Sequence, residues 1–141
     1  MALELIPFAT ATATLAPPIM LPNTPAGTRV IFEIVDYRWE GPRFTARQKS
    51  AAAADWLLLG PDGTGTLDVR VTLETPDGAV VLVHYGGRVD GSKGLGGEAP
   101  VYAAVQFETG NERYGWLNRV QAVAKGVLAG NVITYEVYEL R

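Results

Sequence analysis

The chain has 141 residues, 48% of them apolar and 19% charged, with a formal net charge of -3 and no cysteine. That size predicts one domain, residues 1–141, with a substantial core, and the apolar content excludes a disordered chain. The weakly acidic balance excludes the basic footprint of a nucleic-acid or anionic-membrane partner. Lack of cysteine removes disulfides, thiolate nucleophiles, iron–sulfur clusters and cysteine zinc sites.

The N-terminus carries Glu4 where a signal peptide needs basic residues, and Pro7, Pro17 and Pro18 interrupt any apolar helix there. No run approaches the ~18 apolar residues of a membrane span. A cytoplasmic location is the expectation.

In chain order, residues 3–15 alternate Ala and Thr after Phe8, a strand of small side chains. Residues 17–27 read as a turn-rich connection. Residues 29–39 alternate well, with Val30, Phe32 and Ile34 on the face that also takes Asp36. Residues 44–49 form a short strand, residues 50–54 have a helix-like composition, and residues 56–59 resume the strand. Asp62-Gly63, Asp77-Gly78 and Asp90-Gly91 mark tight turns. Between them lie the strict alternation of residues 67–74 and the apolar run of residues 79–85. Residues 86–97 hold six glycines and predict a loop. Strands are then expected over 101–107, 114–125 and 132–140. Eight or nine short strands without a long amphipathic helix predict an all-β barrel or sandwich.

Nucleotide-loop and serine-elbow motifs are absent. His84 is the only histidine and has no metal-ligand spacing around it, so no metal is implied. Carboxylates and aromatics are the better material. Asp68 and Arg70 share a strand face with Thr72 and Glu74, which is either a solvated outer face or a lumen-lining one. Asn118 sits on an otherwise apolar face, so it either ties down a loop or orients a ligand. Glu108 precedes Thr109-Gly110 and is either a turn stabiliser or a ligand contact. Trp39, Trp56 and Trp116 are core residues or the walls of an aromatic-binding cavity.

Several pieces resemble one family, DUF3237 (UPF0311). They are Glu40-Gly41-Pro42, Ala54-Asp55-Trp56, Leu67-Asp68-Val69-Arg70, Thr75-Pro76-Asp77-Gly78, the run from Phe107 through Gly110 to Trp116–Arg119, and Tyr135–Tyr138. The resemblance implies a closed antiparallel β-barrel of about 8–9 strands, calycin-like or allene-oxide-cyclase-like. If the Asp68–Arg70 face lines its lumen, Asp68 or Asp36 acts as a base, because a desolvated carboxylate gains proton affinity. Arg70, Tyr85 and Asn118 then stabilise negative charge, and Trp39, Trp56, Glu108 and Trp116 contact the substrate.

The resulting expectation is a cofactor-independent enzyme acting by proton transfer on a small hydrophobic, aromatic or polyketide-like metabolite. The reaction would be an isomerisation, cyclisation, elimination or hydrolysis. A non-catalytic lipocalin-like carrier is the alternative. The expected partners are a small-molecule ligand and further copies of the chain, a dimer first, with no nucleic acid or membrane.

Overall fold

A computed structural model describes all residues 1–141, and nine strands account for most of the chain. They are β1 (Leu5–Leu15), β2 (Ile19–Thr24), β3 (Gly27–Glu40), β4 (Thr45–Leu59), β5 (Thr64–Glu74), β6 (Val80–Asp90), β7 (Val101–Glu108), β8 (Ala122–Ala129) and β9 (Val132–Leu140). Each consecutive pair from β2 to β9 is antiparallel, β9 pairs with β1, and β1 pairs with the second half of β3. The sheet therefore closes on itself as an eight-stranded barrel. β2 is the ninth strand, laid along the first half of β3, where β1 has turned away. Closure removes the edges that such apolar strands would otherwise expose.

Alternation decides the walls. On β5, Leu67, Val69, Val71 and Leu73 are buried while Asp68 and Arg70 face solvent. On β7, Val101, Ala103, Val105 and Phe107 point in and the residues between them point out. All three Asp-Gly pairs lie at strand ends.

Two strands change parity along their length. On β3 the inward set passes from Val30 and Ile34 to Tyr37 and Trp39. The cause is a bulge at Val35, where the pairing with β1 slips between Thr14↔Asp36 and Leu15↔Ile34. On β4 the pairing with β5 slips between Gln48↔Leu73 and Ala53↔Val71, so residues 49–52 protrude, with Ser50 at a positive φ of 57°. Gln48 holds this bulge, its Nε2 donating to the carbonyls of Ile34 and Ser50, both at 2.9 Å.

Four expectations are corrected here. Residues 17–27 are not only a turn-rich connection, because Ile19–Thr24 pairs with β3 as a strand. Residues 50–54 are part of one continuous strand rather than helix-like, because the chain bulges without leaving the sheet. Residues 86–90 belong to β6, which pairs with both neighbours through Gly86 and Gly87. The strand expected over residues 114–125 begins only at Ala122. Glu112–Arg119 is a 3₁₀ helix, N-capped by Asn111, whose side chain accepts from the Arg113 N–H.

Candidate active site in the barrel lumen

The two halves of the lumen differ. One end is solid: Phe8, Trp39, Phe44 and Phe107 pack with ring centroids 5.5–6.1 Å apart. The 3₁₀ helix closes that end by burying Leu117 completely. Trp116 lies against Phe8 and under the Arg43 guanidinium, 4.6 Å from its ring centre. Trp116 thus belongs to the plug.

The other end holds a cavity of about 640 Å³ of atom-free space, counting its open mouth. Leu95, Gly96, Gly97 and Ala99, from the β6–β7 connection, line it together with Phe32, Leu57, Leu67, Leu128 and Ile133. Fifteen of its 18 lining residues are hydrophobic, and only one, Asp55, has a carboxyl side chain. Beyond Asp55 the lining holds the phenols of Tyr85 and Tyr135.

Asp55 projects from β4 between the buried residues Ala53 and Leu57. The β4–β5 register runs from Asp55↔Val69 to Leu58↔Thr66, and in this gap the Asp68 N–H donates to Asp55 Oδ1 at 3.1 Å. A side-chain oxygen takes a donor of the barrel wall. Burial is the main influence on this carboxyl and raises its pKa from 3.8 to about 7; the Asp68 N–H lowers it and the Asp68 charge raises it. Near neutral pH it can both give and take a proton.

The phenols form one layer. The Tyr37 and Tyr85 hydroxyl oxygens are 2.9 Å apart, and the Tyr135 ring meets Tyr85 edge-on at 5.6 Å. All three are buried, and burial pushes each pKa above the ordinary tyrosine value. They therefore stay protonated. No three His, Asp or Glu side chains stand together in a way that could hold a metal ion.

Most of the residues expected to form a lumen site lie elsewhere. Asp68 is on the outer face with its side chain 52% exposed, 3.6 Å from His84 Nε2. Arg70 is on the same outer face, because β5 alternates without interruption. Asp36 is turned out of the lumen by the bulge at Val35 and lies 3.8 Å from Arg38. Trp56 is 40% exposed on the outer wall, where its carbonyl accepts from Arg29. Glu108 is exposed at the end of β7. Asn118 clamps the Thr109 backbone, accepting its N–H at 2.8 Å and donating to its carbonyl at 2.9 Å, so it fixes the loop. Trp39 is inside, beneath the phenols, and Tyr85 lines the cavity.

A family model described as "Protein of unknown function (DUF3237)" matches residues 3–140. The chain belongs to the DUF3237 family. A "Hydroalkoxylation enzyme phnH" of Penicillium herquei is 33% identical over 82 residues, which are 58% of this DUF3237 chain and 46% of that protein. This chain thus spans under half the length of that relative. A β-barrel-like protein of Acinetobacter baumannii AYE superposes with a TM-score of 0.87 at 27% identity, covering 100% of this chain and 98% of the other. A structure titled as an enzyme from Penicillium herquei gives a TM-score of 0.72 at 24% identity, over 99% and 94% of the two chains, and bears on the fold alone.

Sequence reasoning missed Asp55, Tyr37 and Tyr135. Asp55 did have a signal: it is the one acid inside the Ala53–Leu59 apolar run, and it sits in a motif piece of the family resemblance.

Proposed function

We propose that this DUF3237 barrel is a redox-neutral, proton-transferring enzyme acting on an apolar, ring-bearing, polyketide-like small molecule, with Asp55 as the group that takes and returns the proton. One observation carries this: a single carboxyl, held near neutral by burial, in a cavity otherwise apolar or phenolic. The similarity to a hydroalkoxylation enzyme supports the reaction class, the addition of an O–H bond across a carbon–carbon double bond. In that class the substrate hydroxyl gives its proton to Asp55, the oxygen forms the C–O bond, and the carbon left with the electron pair takes the proton back. Nothing is oxidised or reduced, and the mass of an intramolecular substrate is unchanged.

The apolar lining alone equally suits a carrier. Asp55 separates the readings, since a carrier of neutral ligands gains nothing from a carboxyl whose burial opposes its ionisation.

The test is incubation in D2O with hydroxylated, alkene-bearing aromatic polyketides, followed by chromatography and mass spectrometry. An isomer with one carbon-bound deuterium is expected, with the rate falling at least about 100-fold in Asp55→Asn. Tight binding with the compound recovered unlabelled points to the carrier and overturns the catalytic reading.

A further inference from the structure

The cavity floor carries more hydrogen-bond donors than the protein uses. Three phenols bring three O–H protons to one layer, and the Tyr37–Tyr85 contact consumes one of them. The Tyr135 hydroxyl makes no hydrogen bond of ordinary length to a protein group; burial raises its pKa, and the neighbouring Tyr85 hydroxyl offsets this only in part. With Tyr37 as the donor in that contact, a direction its geometry allows, the Tyr85 and Tyr135 protons are left on the floor these two residues share, and no cationic side chain lines the cavity above them.

The floor is also built to hold its shape. Gly126 pairs with Tyr135 across β8 and β9, and the ring lies over it so closely that a Cβ on Gly126 would sit 2.6 Å from two ring carbons. Only a residue without a side chain lets the ring lie there. On the other side the Tyr85 ring fixes Tyr135 edge-on.

We propose that Tyr85 and Tyr135 form an oxyanion site, which restricts the substrate to conjugated ketones that present the carbonyl oxygen to this floor while a hydroxyl or acidic C–H faces Asp55. This inference rests on the reading of Asp55 as the proton-transfer group and adds the place where the displaced electrons go. When Asp55 takes the hydroxyl proton, the hydroxyl oxygen bonds to the far carbon of the conjugated double bond and the displaced π pair moves onto the ketone oxygen. When it takes the acidic C–H proton, the C–H pair becomes the new π bond and the carbonyl pair moves onto that oxygen. Two neutral phenols donate to the oxygen in either case. The pair returns to carbon as Asp55 gives the proton back. Preorganised donors in a water-poor cavity stabilise such charge more strongly than water-exposed ones. Carboxylate and phosphate ligands are excluded, because they would place a permanent charge beside Asp55 with no cation to answer it.

The room for the centre of a water molecule inside the cavity is only about 60 Å³, so a single-ring probe is the suitable one. The experiment titrates 4-nitrophenol and weaker-acid nitrophenols into the Asp55→Asn protein, whose amide mimics the protonated carboxyl. The phenolate absorption band reads the ionisation of the bound form. Bound nitrophenol should ionise about tenfold more readily than free nitrophenol. Tyr135→Phe and Tyr85→Phe should each remove most of that preference. Gly126→Ala, which keeps the hydroxyl but displaces the ring, should weaken it several-fold. Thermal unfolding of each variant checks that the barrel remains folded. An unshifted band, or one that survives both Tyr→Phe changes, overturns the oxyanion site. Deuterium incorporation by the unaltered protein is a separate readout, so loss of the floor and loss of Asp55 as the base are distinguishable.

Discussion

Asp55→Asn should make the protein more stable, increasingly so as pH rises. In the folded state the carboxyl titrates at about 7 rather than 3.8, chiefly because burial penalises its charge. A raised pKa contributes stability that is complete below the unfolded value and lost as pH passes through the folded one. Below about pH 4 both states hold the proton. Between about pH 4 and 7 only the unfolded chain releases it, and above about 7 the loss is complete. A shift of about three units at ~1.4 kcal/mol each sets a ceiling of roughly 4 kcal/mol. Asparagine removes the ionisation but keeps an oxygen to accept from the Asp68 N–H, and every other titrating group is common to both proteins. Urea unfolding of the two proteins at several pH values should show the stability difference widening by about 2–3 kcal/mol from pH 5 to pH 8. Parallel profiles, within about 0.5 kcal/mol, would refute the desolvated carboxyl and the proton chemistry built on it.

Asp68→Asn, Asp36→Asn and Arg70→Ala, all on the outer wall, should leave turnover in the D2O assay within about twofold of the unaltered protein. Asn118→Ala removes both hydrogen bonds to the Thr109 backbone and should lower stability by about 1–2 kcal/mol in thermal unfolding, with turnover per folded molecule unchanged. Leu95→Ala opens the cavity mouth to water and relieves the desolvation of Asp55. The limb of the pH–rate profile belonging to Asp55 should move down by about one unit, toward the ordinary carboxylate range, and an unmoved limb would mean that Leu95 does not shield it.

An all-β barrel or sandwich was legible because most strands alternate cleanly and three Asp-Gly pairs mark their ends, and the family resemblance decided for the closed barrel. Parity also predicted the right faces wherever a strand runs unbroken. On β5 it placed Asp68 and Arg70 opposite Leu67, Val69, Val71 and Leu73, and the solvated outer face weighed there is the one observed. The reading of Asp36 failed for a different reason. Val30, Phe32 and Ile34 project the same parity onward to Asp36, and one extra residue at Val35 reverses it. Alternation cannot register a bulge, because the inserted residue leaves both flanking segments individually regular. The 3₁₀ helix was hidden in the same way: Trp116, Asn118 and Val120 alternate as a strand would, yet the burial of Leu117 against the barrel end decides their conformation. β2 fell within a proline-rich segment because its pairing is to β3 alone, at the edge of the sheet.

Why the candidate base stands at Asp55 rather than elsewhere on the wall follows from the wall itself. In a closed barrel nearly every backbone N–H is taken by the neighbouring strand, so an inward carboxylate finds apolar side chains and no donor. Such a group would hold its proton far above neutral pH and never act as a base. At Asp55 the β4–β5 ladder leaves the Asp68 N–H free, and the carboxylate accepts it. Burial raises proton affinity and this one hydrogen bond lowers it, and the balance falls at about 7. Regular pairing at Trp56 and Asp68 would push the carboxyl toward permanent protonation, and a wider mouth would push it toward permanent ionisation. The interruption of the sheet thus lets the group exchange a proton in both directions at neutral pH.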